Sequence, residues 1–123
     1  MNLPSGHQTV MPYLMLDNAA AFIDFVKKAF NAEVTFERER ADHKLMHAEV
    51  RINESTIMFC DATEDWKAQP ANLFVYVPNA DETYHKAVQA GAQTIMPLSD
   101  QDYGRTCGVT DPSGNVWWIT SVS

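Results

Sequence analysis

The chain has 123 residues, 46% of them apolar and 20% charged, which is an ordinary globular composition at the length of one domain. A core of that size needs no disulfide or metal staple. Nine Lys and Arg against sixteen Asp and Glu leave a formal net charge of −7, so neither the basic stripe of a nucleic-acid binder nor the polybasic patch of a membrane-surface protein is present.

Val10 to Leu16 is apolar and strand-like, and Asp17-Asn18 breaks it. Ala19, Phe22, Ile23, Val26 and Phe30 then recur at steps of three and four, which predicts one helical stripe. Asn18 suits its N-cap, Lys27 and Lys28 suit the negative end of its dipole, and Asn31 suits its stop. Val34 to Arg40 and Leu45 to Ile52 alternate like strands. Asn53-Glu54 turns the second of these into Ser55 to Cys60. Asp61 to Pro70 reads as a polar connection.

The order then repeats. Leu73 to Val77 is a strand, Asn79-Ala80-Asp81-Glu82 is a capping-box pattern, and Gly91 ends the helix. Thr94 to Leu98, Tyr103 to Thr110 and Val116 to Ser121 are strands, with the turn Asp111-Pro112-Ser113-Gly114-Asn115 before the last. Asn18 and Asn79 are separated by the same interval as Met11 and Asn72, and Phe59 and Trp118 by nearly the same. An internal duplication, with module one at about 8–61 and module two at about 71–121, is the most economical reading.

No apolar run approaches the ~20 residues that span a bilayer. The start, Met1 to Gly6, has neither the basic cluster nor the apolar run of a signal peptide. Cys60 and Cys107 lie far apart in apolar stretches and read as reduced, buried thiols of a cytoplasmic protein.

This duplicated βαβββ order carries Ala19-Ala20-Ala21-Phe22-Ile23-Asp24-Phe25-Val26 early and Asp111-Pro112-Ser113-Gly114-Asn115-Val116-Trp117-Trp118 near the end. It resembles the vicinal oxygen chelate superfamily of glyoxalase I, bleomycin-resistance proteins, fosfomycin-resistance enzymes and extradiol dioxygenases. Met46-His47-Ala48-Glu49-Val50 before a tight turn, Ala90-Gly91-Ala92 and Tyr103-Gly104-Arg105 look like its PhnB-like branch. The resemblance covers Val10 to Ser121. It implies an α+β fold of two βαβββ modules whose sheets form an incomplete barrel around a cavity, with helices outside and two chains paired as a homodimer. The positions that hold a metal in metal-using relatives fall by the resemblance at Met11, Phe59, Asn72 and Trp118. Thioether, phenyl, amide and indole make a poor set for a divalent cation, so no metal or other cofactor is expected.

If that register holds, Met11, Tyr13, Met15, Phe59, Phe74, Tyr76 and Trp118 face the cavity. Leu14, Leu16, Leu73 and Val75 then face the helices. Aromatics and methionines suit a flat or amphipathic ligand, and they also fill cores. Tyr13, Phe74 and Trp118 are expected to line one common cavity. His47 and Glu49 share a strand face about 7 Å apart and are the candidates for acid–base work; the plainer reading is a polar sheet face. His43 and His47, about 13 Å apart along a strand, cannot grip one ion. Arg105 has the fork to clamp an anionic ligand, or an ion pair to make with one of the acids. The first expectation is a metal-independent binder of a small, partly aromatic molecule. A glyoxalase- or dioxygenase-type enzyme with unorthodox ligands comes second, and a ligand-free scaffold dimer third.

Overall fold

The computed structural model describes residues 1–122. In chain order the elements are β1 (Tyr13–Leu16), α1 (Ala19–Phe30), β2 (Glu33–Glu39), β3 (Leu45–Ile52), β4 (Ser55–Asp61), β5 (Asn72–Tyr76), α2 (Ala80–Gln89), β6 (Gln93–Gln101), β7 (Gly104–Thr110) and β8 (Val116–Ser121). The fold is α+β, and βαβββ occurs twice. One sheet has the order β1-β4-β3-β2 and the other β5-β8-β7-β6. In each, the first strand runs parallel to the last and the remaining neighbours are antiparallel. Each sheet has two edge strands, β1 and β2 in one and β5 and β6 in the other. Pro97 sits in β6, where an edge strand tolerates a residue without an N–H.

β1 starts three residues later than the apolar run Val10 to Leu16 suggests. Pro12 has no N–H for the ladder, and its carbonyl accepts the Met58 amide at 2.9 Å instead.

The helices follow their caps. Asn18 accepts from the Ala21 amide at 3.1 Å, and Asn79 from the Glu82 amide at 3.1 Å. Asn31 ends α1 in the left-handed region with φ 56°, and its amide bonds back to the Lys27 carbonyl. A second, long-range cap is duplicated. Asp61, ending β4, accepts the Ala19 amide at 2.9 Å, and Ser121, ending β8, accepts the Ala80 amide at 3.1 Å. In each module the last strand thus holds the start of the helix that covers the sheet.

Leu14 and Leu16 are buried with Phe22, Phe25 and Val26 of α1, and Leu73 and Val75 pack against the same core. The strand alternation predicted for those four aliphatics is observed. Trp117 joins the modules: its ring lies 4.6 Å from Phe30 and 6.4 Å from Phe22, both on α1. Its indole N–H donates to Asp111 at 2.8 Å. Asp111 also organises the turn before β8, accepting the Ser113 and Asn115 amides. A buried carboxylate is tolerable there because every lone-pair direction meets a donor.

Candidate functional site

Each sheet has one face under a helix and one open face. Tyr13, Met58, Glu49 and Phe36 form one row across the open face of module one, on β1, β4, β3 and β2. Phe74, Trp118, Gly108 and Met96 form the matching row of module two. The match corrects one expected site residue. Phe59 is fully buried, its ring 4.9 Å from that of Phe22 on α1, and it faces the helix. Met58 takes the open-face position. Strand side chains alternate with period two, so aligning the halves one residue off puts the wrong neighbour in the site.

Module two presents an aromatic surface. Phe74 is 51% and Tyr76 63% exposed; their rings lie 5.3 Å apart, with Tyr103 6.3 Å from Phe74. Trp118 lies across β7, and its indole N–H donates to Asn72 at 3.2 Å. Gly108 makes that position possible: a Cβ there would stand 2.5 Å from Trp118 Cζ3. An isolated glycine inside a strand signals such close approach, and the sequence reading did not use it.

Module one presents a polar chain with an apolar cleft beside it. His47 Nε2 lies 2.9 Å from Glu49 Oε2, and its Nδ1 lies 3.2 Å from the Tyr13 hydroxyl. The two candidate acid–base residues therefore do meet. The other Glu49 oxygen is 2.6 Å from His7 Nε2. His7 belongs to an irregular N-terminal strap. Gln8 pins that strap by exchanging bonds with the Thr56 backbone, and the Thr56 hydroxyl donates to the Gly6 carbonyl. No sequence signal marks His7, because its partner is distant and its own segment is structureless. Burial pushes the Glu49 carboxyl up, but hydrogen bonds from His47 and His7, with their charges, outweigh it and hold the group below the usual range.

Across the face, Met15 pairs in register with Cys60. The pairing of β2 with β3 shifts between Arg38 and Glu39, leaving Met46 as an extra residue. Leu45 then packs on the core, while Met46 lines the open side with Tyr13, Met15, Cys60, Trp66 and Arg40. This cleft measures about 420 Å³. Burial pushes the Cys60 thiol up, and the nearby Tyr13 hydroxyl and Arg40 only partly oppose it. Burial also pushes Tyr13 up, as does Cys60 beside it. Cys107, under the helices, is pushed up to about 11 by burial. Both thiols are free and neither has the character of a nucleophile.

Phe74 lines a different cleft, of about 330 Å³, between β5, the β3–β4 turn and the strap residues Gln8, Val10 and Pro12. Within one chain, Tyr13 and Phe74 lie on open faces as expected but do not share a pocket. Met11 precedes β1 and is half-buried. Arg105 does not reach the aromatic face. Its fork grips Asp81 of α2 at 2.9 and 3.3 Å, with Asp100 at 3.4 Å, so the ion-pair reading holds. The guanidinium keeps the Asp81 carboxyl below its ordinary range.

Among the described residues, no group of three or more His, Cys, Asp or Glu is placed to hold a metal ion. His7, Glu49 and His47 spend their facing atoms on one another. With the register corrected, the positions implied for a metal carry Met11, Met58, Asn72 and Trp118, and this donor set does not fit a hard divalent cation. Among the described residues no helix is long and apolar enough to cross a membrane.

The profile of the Glyoxalase/Bleomycin resistance protein/Dioxygenase superfamily matches residues 7–119, and the chain belongs to that superfamily. Uncharacterized protein Mb0911c of Mycobacterium bovis is 34% identical over 118 residues, spanning 86% of this chain and 78% of that protein. Among solved structures, a PhnB protein from Bacillus cereus superposes with a TM-score of 0.75 at 21% identity, over 94% of this chain and 100% of that one. TnmS3, an antibiotic binding protein from Streptomyces sp. CB03234, superposes with a TM-score of 0.74 at 13% identity, over 95% and 100%. These two likenesses show the shared fold.

Proposed function

We propose that the protein is a metal-independent, cytoplasmic binder of a small, flat, partly aromatic molecule, held between the open module faces of a homodimer. One observation carries this reading: the face of module two exposes Phe74 and Tyr76, with the half-buried Trp118 beside Phe74 and no helix over them. Bare aromatic surface of that extent marks a binding surface, and ring faces favour flat ligands through stacking. A second chain laid face to face would close the space between Trp118 of one protomer and Tyr13 of its partner. TnmS3, which has this fold, is described as antibiotic binding. The absence of a fitting donor set favours binding without a metal.

The test is titration calorimetry with planar aromatic compounds on protein dialysed against chelator, with sedimentation equilibrium for the dimer. Trp118→Ala should weaken binding about tenfold or more with the fold intact. Unchanged affinity in that variant, or loss of binding on chelation, refutes the proposal. The contact of Glu49 with His47, and of His47 with Tyr13, favours a second reading, an acid–base enzyme. That reading requires turnover of a bound compound that Glu49→Gln abolishes without weakening its binding.

A further inference from the structure

The hydrogen-bond chain on module one fixes which way Tyr13 can bond. Glu49 is an ionised carboxylate and only accepts. The hydrogen between Glu49 Oε2 and His47 Nε2, 2.9 Å apart, therefore belongs to the imidazole. In the neutral ring the opposite nitrogen, Nδ1, then carries a lone pair. The Tyr13 hydroxyl, 3.2 Å away, donates to it. That uses the one hydrogen Tyr13 has. Its oxygen is left with lone pairs, at the mouth of the cleft floored by Met15, Cys60 and Met46. The Cys60 thiol beside it is only a weak donor and cannot saturate both lone pairs. The other polar side chains of the cleft already have partners: Arg40 donates to the Asp61 carbonyl at 3.2 Å and to Asp42 at 3.4 Å, the Asp61 carboxylate accepts the Ala19 and Leu45 amides, and the Thr63 hydroxyl accepts the Trp66 amide.

We infer that the module-one cleft selects aromatic molecules carrying a hydroxyl or N–H, which donates to the Tyr13 oxygen while the ring lies among Met15, Met46 and Trp66. This deepens the binding function proposed above and rests on it. The cleft volume, about 420 Å³, is within the range of small-molecule sites. His47 and Glu49 act as positioning residues: they turn Tyr13 from a group of either polarity into an acceptor.

The experiment compares two probes of nearly equal shape, 2-naphthol and 2-fluoronaphthalene, by calorimetry in mildly alkaline buffer. Only the first can donate. In Tyr13→Phe the ratio of affinities, naphthol over fluoronaphthalene, should fall about three- to tenfold, the worth of one ordinary hydrogen bond. The ratio cancels any change in packing that both probes share, and a thermal unfolding transition like the parent's shows that the variant is folded. An unchanged ratio overturns the inference and leaves the binding function standing. A wild-type protein that binds neither probe overturns the inference together with the reading beneath it.

Discussion

Adding one methyl group at Gly108 tests how Trp118 is seated. An alanine Cβ would stand 2.5 Å from Trp118 Cζ3, 2.8 Å from Cε3 and 3.2 Å from Ile95 Cγ1. Carbon atoms in contact prefer about 3.5–4.0 Å, so the indole must retreat by about 1 Å. It cannot sink, because β7 lies beneath it, and it must lift off the sheet. Overpacking of this kind costs about 1–3 kcal/mol, and the bond from the indole to Asn72 is worth about 0.5–1 kcal/mol more. The lower backbone entropy of the unfolded alanine chain returns about 0.5–1 kcal/mol. The net loss is about 1–3 kcal/mol, which for a domain of this size lowers Tm by about 4–12 °C. Scanning calorimetry reads this directly. The same variant should bind flat aromatic probes more weakly than its stability loss explains, since the stacking surface has moved. A Tm within about 1 °C of the parent, with unchanged affinity, would refute the close seating of Trp118 on β7.

Two further predictions concern the core and the polar chain. Val26, fully buried on α1, should not tolerate a carboxylate: Val26→Asp should cost about 4 kcal/mol or more, and an unchanged urea midpoint would mean that α1 does not cover the sheet with this face. The lowered pKa of Glu49 stabilises the fold above the ordinary carboxylate range, and that contribution is lost as pH falls through the folded value. The stability difference between the parent and Glu49→Gln, measured by urea unfolding at a series of pH values, should therefore be largest near neutrality and shrink toward acid; a difference that does not change with pH would refute the role given to Glu49.

The architecture was legible because its signals are local and repeated. The stripe of α1, the caps Asn18 and Asn79 and the aliphatic alternation of Leu14, Leu16, Leu73 and Val75 each express one periodicity of the backbone. The site was legible only to within one residue. Phe59 and Met58 are adjacent and both apolar, and only the pairing of β4 with β1 decides which of them meets the helix. His7 was invisible because its bond to Glu49 joins an irregular segment to a strand distant in sequence. Arg105 was ambiguous because a fork fits a ligand or a carboxylate equally well, and the choice depends on how α2 sits over β7. Met46 reached the open face through a register shift that alternation cannot foresee.

The outer strands have a consequence for how the chain behaves when crowded. An exposed strand edge invites another chain to add to it, and such addition continues indefinitely. Here β2 carries Glu33, Glu37, Arg38 and Glu39, all exposed, and β6 carries Pro97, which interrupts any row of donors. These two edges thus repel or misfit a further strand, and the net charge of −7 adds a general repulsion. Strand addition at β2 and β6 is suppressed, while the module-two row of Phe74, Trp118, Gly108 and Met96 carries no charge. The module-two face can therefore stay sticky toward a small molecule while those two edges resist a further strand.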